Sequence, residues 1–132
     1  MPNTEALTQL RRVVEAAPEE LFHMRAVVEH VDCGTARCAL GWAIIDPWFQ
    51  ANTRINEALP ADYDRQQYLT DDGTEGVLCE IFDIDEEDTS YLFAADLSVR
   101  VDPHAVPRRT VLANIDRLLA GKRAVKYKAT LA

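Results

Sequence analysis

The segment of residues 36–45 is apolar on almost every side, and it constrains the fold of this chain most. Arg37 is its only charged residue. A short helix that is apolar all round must be covered on every side, so the pattern predicts a buried central helix. Thr35 is a good N-cap for such a helix. Gly41 disfavours a helix by about 1 kcal/mol relative to Ala, which indicates that a neighbouring element approaches closely there.

Helical periodicity recurs along most of the remaining chain, and capping residues mark its boundaries. Thr4 is the predicted N-cap of a first helix, and Pro18 is expected to end that helix. Asp46 and Asp85 are the expected N-caps of two later helices. Gly121 is the expected stop of the last helix.

These patterns predict a mainly α-helical fold, a compact single domain of residues 1–132 with five to seven short helices. Strict alternation of apolar and polar residues predicts at most a small two-stranded β-ribbon, which pairs residues 97–101 with residues 125–129. The expected helices cover residues 5–17, 19–30, 36–45, 47–59, 74–82, 86–95 and 107–120. Around Phe22, an extended piece fits as well as a helix.

Length and composition exclude several classes of protein. With 132 residues, of which 48% are hydrophobic, the chain can bury a core without metal or disulfide staples. No apolar run approaches the roughly 18 residues of a membrane span, and the N-terminus lacks the basic start and apolar stretch of a signal peptide. The three cysteines are an odd and sparse set, unlike that of a small secreted domain. We therefore expect a cytoplasmic protein.

Charged residues are distributed unevenly along the chain, whose net charge is −8. Residues 62–96 hold 12 acidic side chains and one basic one, whereas residues 97–132 hold eight basic and two acidic ones. Either the two blocks attract each other within one fold, or the acidic block faces a basic partner. The candidates for such an acidic surface are Asp71, Asp72, Asp83, Asp85, Glu86, Glu87 and Asp88. The negative charge argues against direct binding to nucleic acid or to an anionic membrane.

His30, Cys33 and Cys38 lie close together in the sequence and raise the question of a metal site or a reactive thiol. A structural zinc site needs four ligands, commonly in two close pairs, and the sequence lacks a second pair. Cys33 would precede the predicted central helix, where the dipole favours a thiolate, and His30 could act as its base. The acidic run after Phe82 lacks the glycine and the closing glutamate of an EF-hand loop. We expect no metal and no cofactor.

Residues 33–43 read C-G-T-A-R-C-A-L-G-W-A. They resemble the C-G-T-x-x-C-x-x-G-W-A signature of a group of small uncharacterised bacterial and phage proteins. The likeness extends from about residue 20 to residue 127, although Tyr127 stands where a tryptophan is expected. The resemblance implies the fold and a cytoplasmic origin, and it implies no activity. The signature residues, which we expect to be structural, are Cys33, Gly34, Thr35, Cys38, Gly41 and Trp42.

These observations favour a non-enzymatic protein-interaction or regulatory module, either a homodimer or a regulator of one protein partner. The sequence offers no complete catalytic set, whereas its apolar content is ample for a core and an interface. In a more specific form of the hypothesis, the acidic block imitates a row of phosphates and competes with nucleic acid for a basic protein. The alternative hypothesis is a small thiol-dependent enzyme centred on Cys33 with His30.

We predict that the C-G-T-x-x-C segment is architectural. Elemental analysis of the native protein should then find no stoichiometric zinc, and Cys33→Ser should keep the fold, as judged by circular dichroism. One equivalent of bound metal, or a thiol that reacts within seconds with a mild alkylating reagent, would instead support the metal or enzyme hypothesis.

Overall fold

The computed structural model describes residues 2–22, 28–31, 34–62, 72–93 and 108–125. The chain is mainly α-helical, as the sequence predicts. In the described ranges the elements are α1 (Thr4–Ala16), a 3-10 turn (Glu19–Leu21), β1 (Val28–Val31), β2 (Gly34–Arg37), α2 (Ala39–Ile44), α3 (Pro47–Asn52), α4 (Ile55–Ala58), α5 (Asp72–Phe82), α6 (Glu86–Phe93) and α7 (Arg108–Leu119). None of the helices described is both long and apolar enough to cross a membrane.

An antiparallel hairpin of β1 and β2 corrects the prediction for this part of the chain. We expected a helix over residues 19–30 and a helix cap at Thr35, but Thr35 lies in β2, opposite His30 of β1. Gly34 disfavours a helix, and the β-branched Val and Thr residues favour extended backbone. In the register of the two strands, Val31 pairs with Gly34 and Val28 pairs with Arg37.

The central helix is consequently shorter than predicted. It begins at Ala39 with Cys38 as its N-cap, because the preceding residue, Arg37, still belongs to β2. Five of the six residues of α2 are buried, which confirms the expected central position of this apolar segment. Phe22 has extended backbone and forms a parallel bridge with Arg37, so the extended alternative is correct at that residue.

The first helix is capped by a different residue from the one predicted. Thr4 is the first residue of α1, and Asn3 is its N-cap, whose Oδ1 accepts a hydrogen bond from the Ala6 N–H at 3.1 Å. Asn3 also donates its backbone N–H to the Phe82 carbonyl at 2.8 Å and its Nδ2 to the Ile81 carbonyl at 2.9 Å. These bonds connect the start of α1 to the end of α5.

The helix predicted over residues 47–59 is divided into α3 and α4. Asp46 caps α3 as expected, since its Oδ2 accepts from the Phe49 N–H at 3.1 Å. Thr53 ends this helix: its hydroxyl donates to the Phe49 carbonyl at 2.7 Å and accepts from the Ile55 N–H at 3.2 Å. A threonine hydroxyl that bonds backbone groups in this way competes with continuation of a helix.

The later helices agree more closely with the sequence prediction. Asp85 precedes α6 and caps it, because its Oδ1 accepts from the Asp88 N–H at 2.9 Å. Gly121, at φ 78°, follows α7 in the left-handed conformation that commonly ends helices. The predicted β-ribbon lies outside the described residues except for Val125, which belongs to no strand among them.

The hydrophobic core draws buried residues from all the helices described. In this core, α1 packs against α2, α3, α5 and α7. Three aromatic rings connect distant helices, with the Phe82 centroid 5.9 Å from that of Phe49 and 5.3 Å from that of Phe93. Phe82 is therefore a central packing residue at the end of α5.

We predict that Phe82→Ala lowers the free energy of unfolding by about 3–5 kcal/mol, because it leaves a cavity in the core. Val125→Ala is the control, since the Val125 residue is 50% exposed and its truncation should change stability by less than about 0.5 kcal/mol. Urea denaturation measures both variants. A loss below about 1 kcal/mol for Phe82→Ala would contradict this packing.

Candidate functional site

The loop between α5 and α6 and the first turn of α6 carry a concentration of carboxylates, which we call the acidic turn: Asp83, Asp85, Glu86, Glu87 and Asp88. Asp83 adopts a left-handed conformation, with φ 52°, directly after α5. Aspartate tolerates this conformation better than most residues. The Ile84 N–H donates to the carbonyl of Cys79 at 3.2 Å, which closes the end of α5. Glu86, Glu87 and Asp88 lie in the first turn of α6, where the helix dipole favours negative charge.

Asp88 is buried, although it is one of the acidic surface candidates. The residue is 6% exposed. Both carboxylate oxygens accept from Nε of Arg123, at 3.1 Å each, and Oδ1 also accepts from the Ala124 N–H at 3.0 Å. A buried carboxylate requires such partners to offset its lost hydration. Asp88 therefore fixes the acidic turn to the C-terminal segment, by which we mean residues 121–125, and it is not part of an exposed face.

The other end of the Arg123 side chain contacts exposed carboxylates of the acidic turn. Its second terminal nitrogen donates to Asp85 Oδ2 at 2.6 Å and lies 3.8 Å from Glu87 Oε1. The side chains of Asp85 and Glu87 are 55% and 63% exposed, respectively. The hydrogen bond and the negative charge of Asp88, followed by the charges of Asp85 and Glu87, raise the pKa of Arg123 above its ordinary value. One guanidinium thus contacts three of the carboxylates.

Two side chains of α7 hold the backbone of the C-terminal segment. Asn114 is buried, and its Oδ1 accepts from the Val125 N–H at 2.8 Å while its Nδ2 donates to the Val125 carbonyl at 3.0 Å. Arg117 donates its Nε to the Arg123 carbonyl at 2.7 Å. The Lys122 N–H closes the end of α7 through a 2.8 Å bond to the Arg117 carbonyl. Arg123 is therefore presented to the acidic turn from a well-bonded backbone.

The acidic surface candidates consequently divide into groups. Asp71 lies outside the described residues, and Asp72 is the first residue of α5, its side chain not among those described. The exposed members are Asp83, Asp85, Glu86 and Glu87. The sequence prediction missed Arg123 and Asn114, the residues that position this turn. Arg123 belongs to the basic block of residues 97–132, which could have indicated a cation that pairs with the acidic residues. Nothing in the sequence indicates that Asn114 is buried.

The thiol site of the alternative hypothesis is not assembled by the described residues. Cys33 lies outside them, and the residues that follow it, Gly34 and Thr35, form β2 instead of the start of a helix. The helix-dipole argument for a Cys33 thiolate is therefore wrong. Only the backbone of His30 is described, in β1.

Cys38 lies at the N-terminus of α2, and it is a buried thiol. It is 2% exposed, which confirms its expected burial. Burial raises the pKa of the Cys38 thiol, while backbone N–H groups such as that of Gly41 partly oppose the shift. A neutral, inaccessible thiol is a packing group and a poor nucleophile.

The remaining signature residues lie in α2. Gly41 is buried, and its carbonyl accepts from a terminal nitrogen of Arg37 at 3.2 Å. Partial burial lowers the pKa of Arg37. Trp42 is partly buried, and its indole N–H has no hydrogen-bond partner within the portion of the chain that the structure describes. These contacts attach the hairpin to α2.

A cavity of about 270 Å³ lies elsewhere in the fold, and none of the residues singled out from the sequence lines it. Its lining residues are Asn3, Asn52, Thr53, Arg54, Glu80 and Ile81. Arg54 is already engaged by carboxylates, at 2.7 Å from Glu57 and 2.6 Å from Glu80. In the described ranges, no group of three or more His, Cys, Asp or Glu residues is arranged to hold a metal ion.

Comparisons with known proteins do not place the chain in a family. No family model matches it, and no curated protein or solved structure matches it. The resemblance to the bacterial and phage signature group therefore stays a prediction.

We predict that Asp88→Asn lowers the free energy of unfolding by about 1.5–3 kcal/mol, because it removes a buried carboxylate that accepts charge-assisted hydrogen bonds. Glu87→Gln is the matched control: it removes the same charge from the preceding, exposed position and should cost less than about 0.5 kcal/mol. Urea denaturation at neutral pH measures both. Equal and small losses for the two variants would contradict the role assigned to Asp88.

A second prediction concerns pH and the buried thiol of Cys38. Because its pKa is raised in the folded state, the unfolded chain ionises first as the pH rises. The contribution of Cys38 to stability is thus complete below the ordinary thiol pKa of about 8.5 and is lost at higher pH. Above that pH, the free energy of unfolding of wild type should fall with pH more steeply than that of Cys38→Ala, by up to about 1.4 kcal/mol per pH unit. Identical slopes in wild type and Cys38→Ala would show that the thiol is not desolvated.

Proposed function

We propose that this chain is a non-enzymatic interaction or regulatory module that presents the acidic turn to a basic protein partner. The observation that carries the proposal is the exposure of Asp83, Asp85, Glu86 and Glu87 on one short turn whose ends are both fixed. Exposed carboxylates on a fixed turn lose little conformational freedom on binding, which favours association.

The local charge of the acidic turn supports a basic partner. The acidic turn carries five carboxylates, and Arg123 contacts three of them, Asp85, Glu87 and the buried Asp88. The remaining negative charge would steer a positively charged protein toward this face and select against acidic ones. In the more specific form of the proposal, the carboxylates take the place of phosphates and compete with nucleic acid for that partner.

The cellular setting is part of the same proposal. We place the protein in a bacterial or phage-infected cytoplasm, on the basis of the C-G-T signature and the sparse cysteines. The net charge of −8 speaks against direct binding to nucleic acid or to an anionic membrane. A homodimer that buries apolar surface is the other form of an interaction module, and it differs from the acidic form in its response to salt.

The test is capture of partners from a bacterial host extract at low and high salt, with three versions of the protein. The first is wild type, and the second carries Asp83→Asn, Glu86→Gln and Glu87→Gln. The third is a matched control that removes the same charge from other exposed carboxylates through Glu19→Gln, Glu20→Gln and Asp62→Asn.

At low salt, we expect wild type and the control to capture a basic protein that the acidic-turn variant does not capture. High salt should release this protein from wild type and from the control. Salt should act in this way because exposed charges are screened beyond about 8 Å at physiological ionic strength. Equal capture by all three versions would contradict the proposal, and capture that survives high salt would favour an apolar interface. No partner, together with an enzymatic turnover that Cys33→Ala abolishes, would favour the thiol enzyme.

A further inference from the structure

Phe22 adjoins two arginine side chains that come from different parts of the chain. Its backbone forms a parallel bridge with Arg37 of β2. Partners in a bridge direct their side chains to the same face of a sheet, so the Arg37 side chain stands beside that of Phe22. The guanidinium of Arg108, the first residue of α7, lies over the Phe22 ring, 5.7 Å from its centroid. The fold therefore brings two cationic side chains to one aromatic residue.

The hydrogen bonds of both guanidinium groups go to carbonyl oxygens. A terminal nitrogen of Arg37 donates to the Gly41 carbonyl at 3.2 Å, and a terminal nitrogen of Arg108 donates to the Glu15 carbonyl at 3.0 Å. Neither group forms a salt bridge with a carboxylate in the described part of the chain. Because a guanidinium carries several more N–H donors than these bonds use, donors are left for another acceptor.

Other arginines of the fold differ from this pair in having counter-charges. Three of them bind carboxylates, which raise their pKa: Arg11, Arg54 and Arg123. The pKa of Arg37 is instead lowered, because partial burial removes hydration from its guanidinium. At Arg108, Glu15 contributes its carbonyl, while its carboxylate binds Arg11. A partly desolvated cation without a counter-ion is unfavourable, and a bound anion would offset that cost.

We propose that Arg37 and Arg108 form a binding site for a phosphate group. The planar fork of arginine binds phosphate oxygens through paired N–H donors. A phosphate monoester carries nearly two negative charges at neutral pH, which matches two guanidinium groups better than a single carboxylate does. Since the net charge of −8 repels extended polyanions, one phosphate group fits this surface better than nucleic acid does. The carrier is a phosphorylated small molecule or a phosphorylated side chain of a protein.

The surrounding fold holds both arginines in place before a ligand binds. Arg37 belongs to β2, which contacts the 3-10 turn that precedes Phe22. Arg108 begins α7, which packs along α1. Phe22 itself packs against the hydrophobic core. A preorganised pair of side chains loses little conformational freedom on binding, which favours affinity.

The test is a titration with inorganic phosphate at constant ionic strength, in which saturable shifts of backbone amide NMR signals give the dissociation constant. It compares wild type with Arg37→Gln and Arg108→Gln. Lys122→Gln is the matched control, because it removes the same charge from an exposed residue beyond the opposite end of α7. Acetate serves as a second probe, with a single negative charge on a carboxylate.

We expect saturable phosphate binding that each arginine variant weakens by at least about tenfold, because each removes charge-assisted hydrogen bonds. Lys122→Gln should bind phosphate like wild type. No saturable binding by wild type, or equal weakening by all three variants, would overturn the inference. Acetate that binds as tightly as phosphate would overturn the assignment of phosphate. None of these results bears on the acidic turn, whose variant should bind phosphate at least as tightly as wild type.

Two further probes distinguish the carriers of the phosphate group: glycerol phosphate and a short phosphoserine peptide. The probe that binds more tightly than inorganic phosphate identifies the class of carrier, and its dependence on both arginines supports the site. Failure of both probes to bind would overturn the inference.

A measurement on wild-type protein covers the case in which an arginine variant does not fold. In side-chain nitrogen NMR spectra, phosphate should shift the Nε–H signals of Arg37 and Arg108 with one common dissociation constant. The signals of Arg11 and Arg54, which carboxylates already engage, should stay unchanged. Unshifted signals of Arg37 and Arg108 at the highest phosphate concentration would overturn the inference.

Discussion

The burial of one carboxylate, that of Asp88, imposes the strongest local constraint on this fold. A carboxylate at 6% exposure is stable only with hydrogen-bond donors around it, and here they come from Arg123 Nε and the Ala124 N–H. Satisfying Asp88 thus brings the segment after α7 against the start of α6. It also places a guanidinium beside Asp85 and Glu87. This single interaction thus determines the position of the acidic turn, and it also brings the positive charge of Arg123 next to the negative charges of Asp85 and Glu87.

The hydrophobic core provides the frame in which that interaction forms. Burial of α1 against α2, α3, α5 and α7 fixes the helices that carry the acidic turn and Asn114. Asn3 connects the start of α1 to the carbonyls of Ile81 and Phe82, directly before the turn. The position of the exposed carboxylates is therefore determined by core packing at the end of α5 and by the buried Asp88 at the start of α6. This double attachment is the physical argument for our proposal that the turn is a recognition surface.

The sequence predicted the parts of this structure that depend on local physics. Caps at Asp46 and Asp85 and the stop at Gly121 are correct, because they are set by residues a few positions apart. The hairpin was missed, since a short segment of mixed apolar and polar residues such as residues 28–37 does not determine its own period, and tertiary contacts decide. At the site, the exposed carboxylates were identified, whereas the burial of Asp88 was not. The pairing of Asp88 with Arg123 spans 35 residues, and no local pattern specifies it.

A double-mutant cycle on Asp88 and Arg123 tests most directly whether this charge pair organises the acidic turn. The free energy of unfolding is measured for wild type, Asp88→Asn, Arg123→Gln and the double variant in urea. The account predicts a coupling energy of at least about 1 kcal/mol, because each single variant leaves the other group without its partner. Additive effects within about 0.5 kcal/mol would contradict it, and would mean that Asp88 and Arg123 contribute independently.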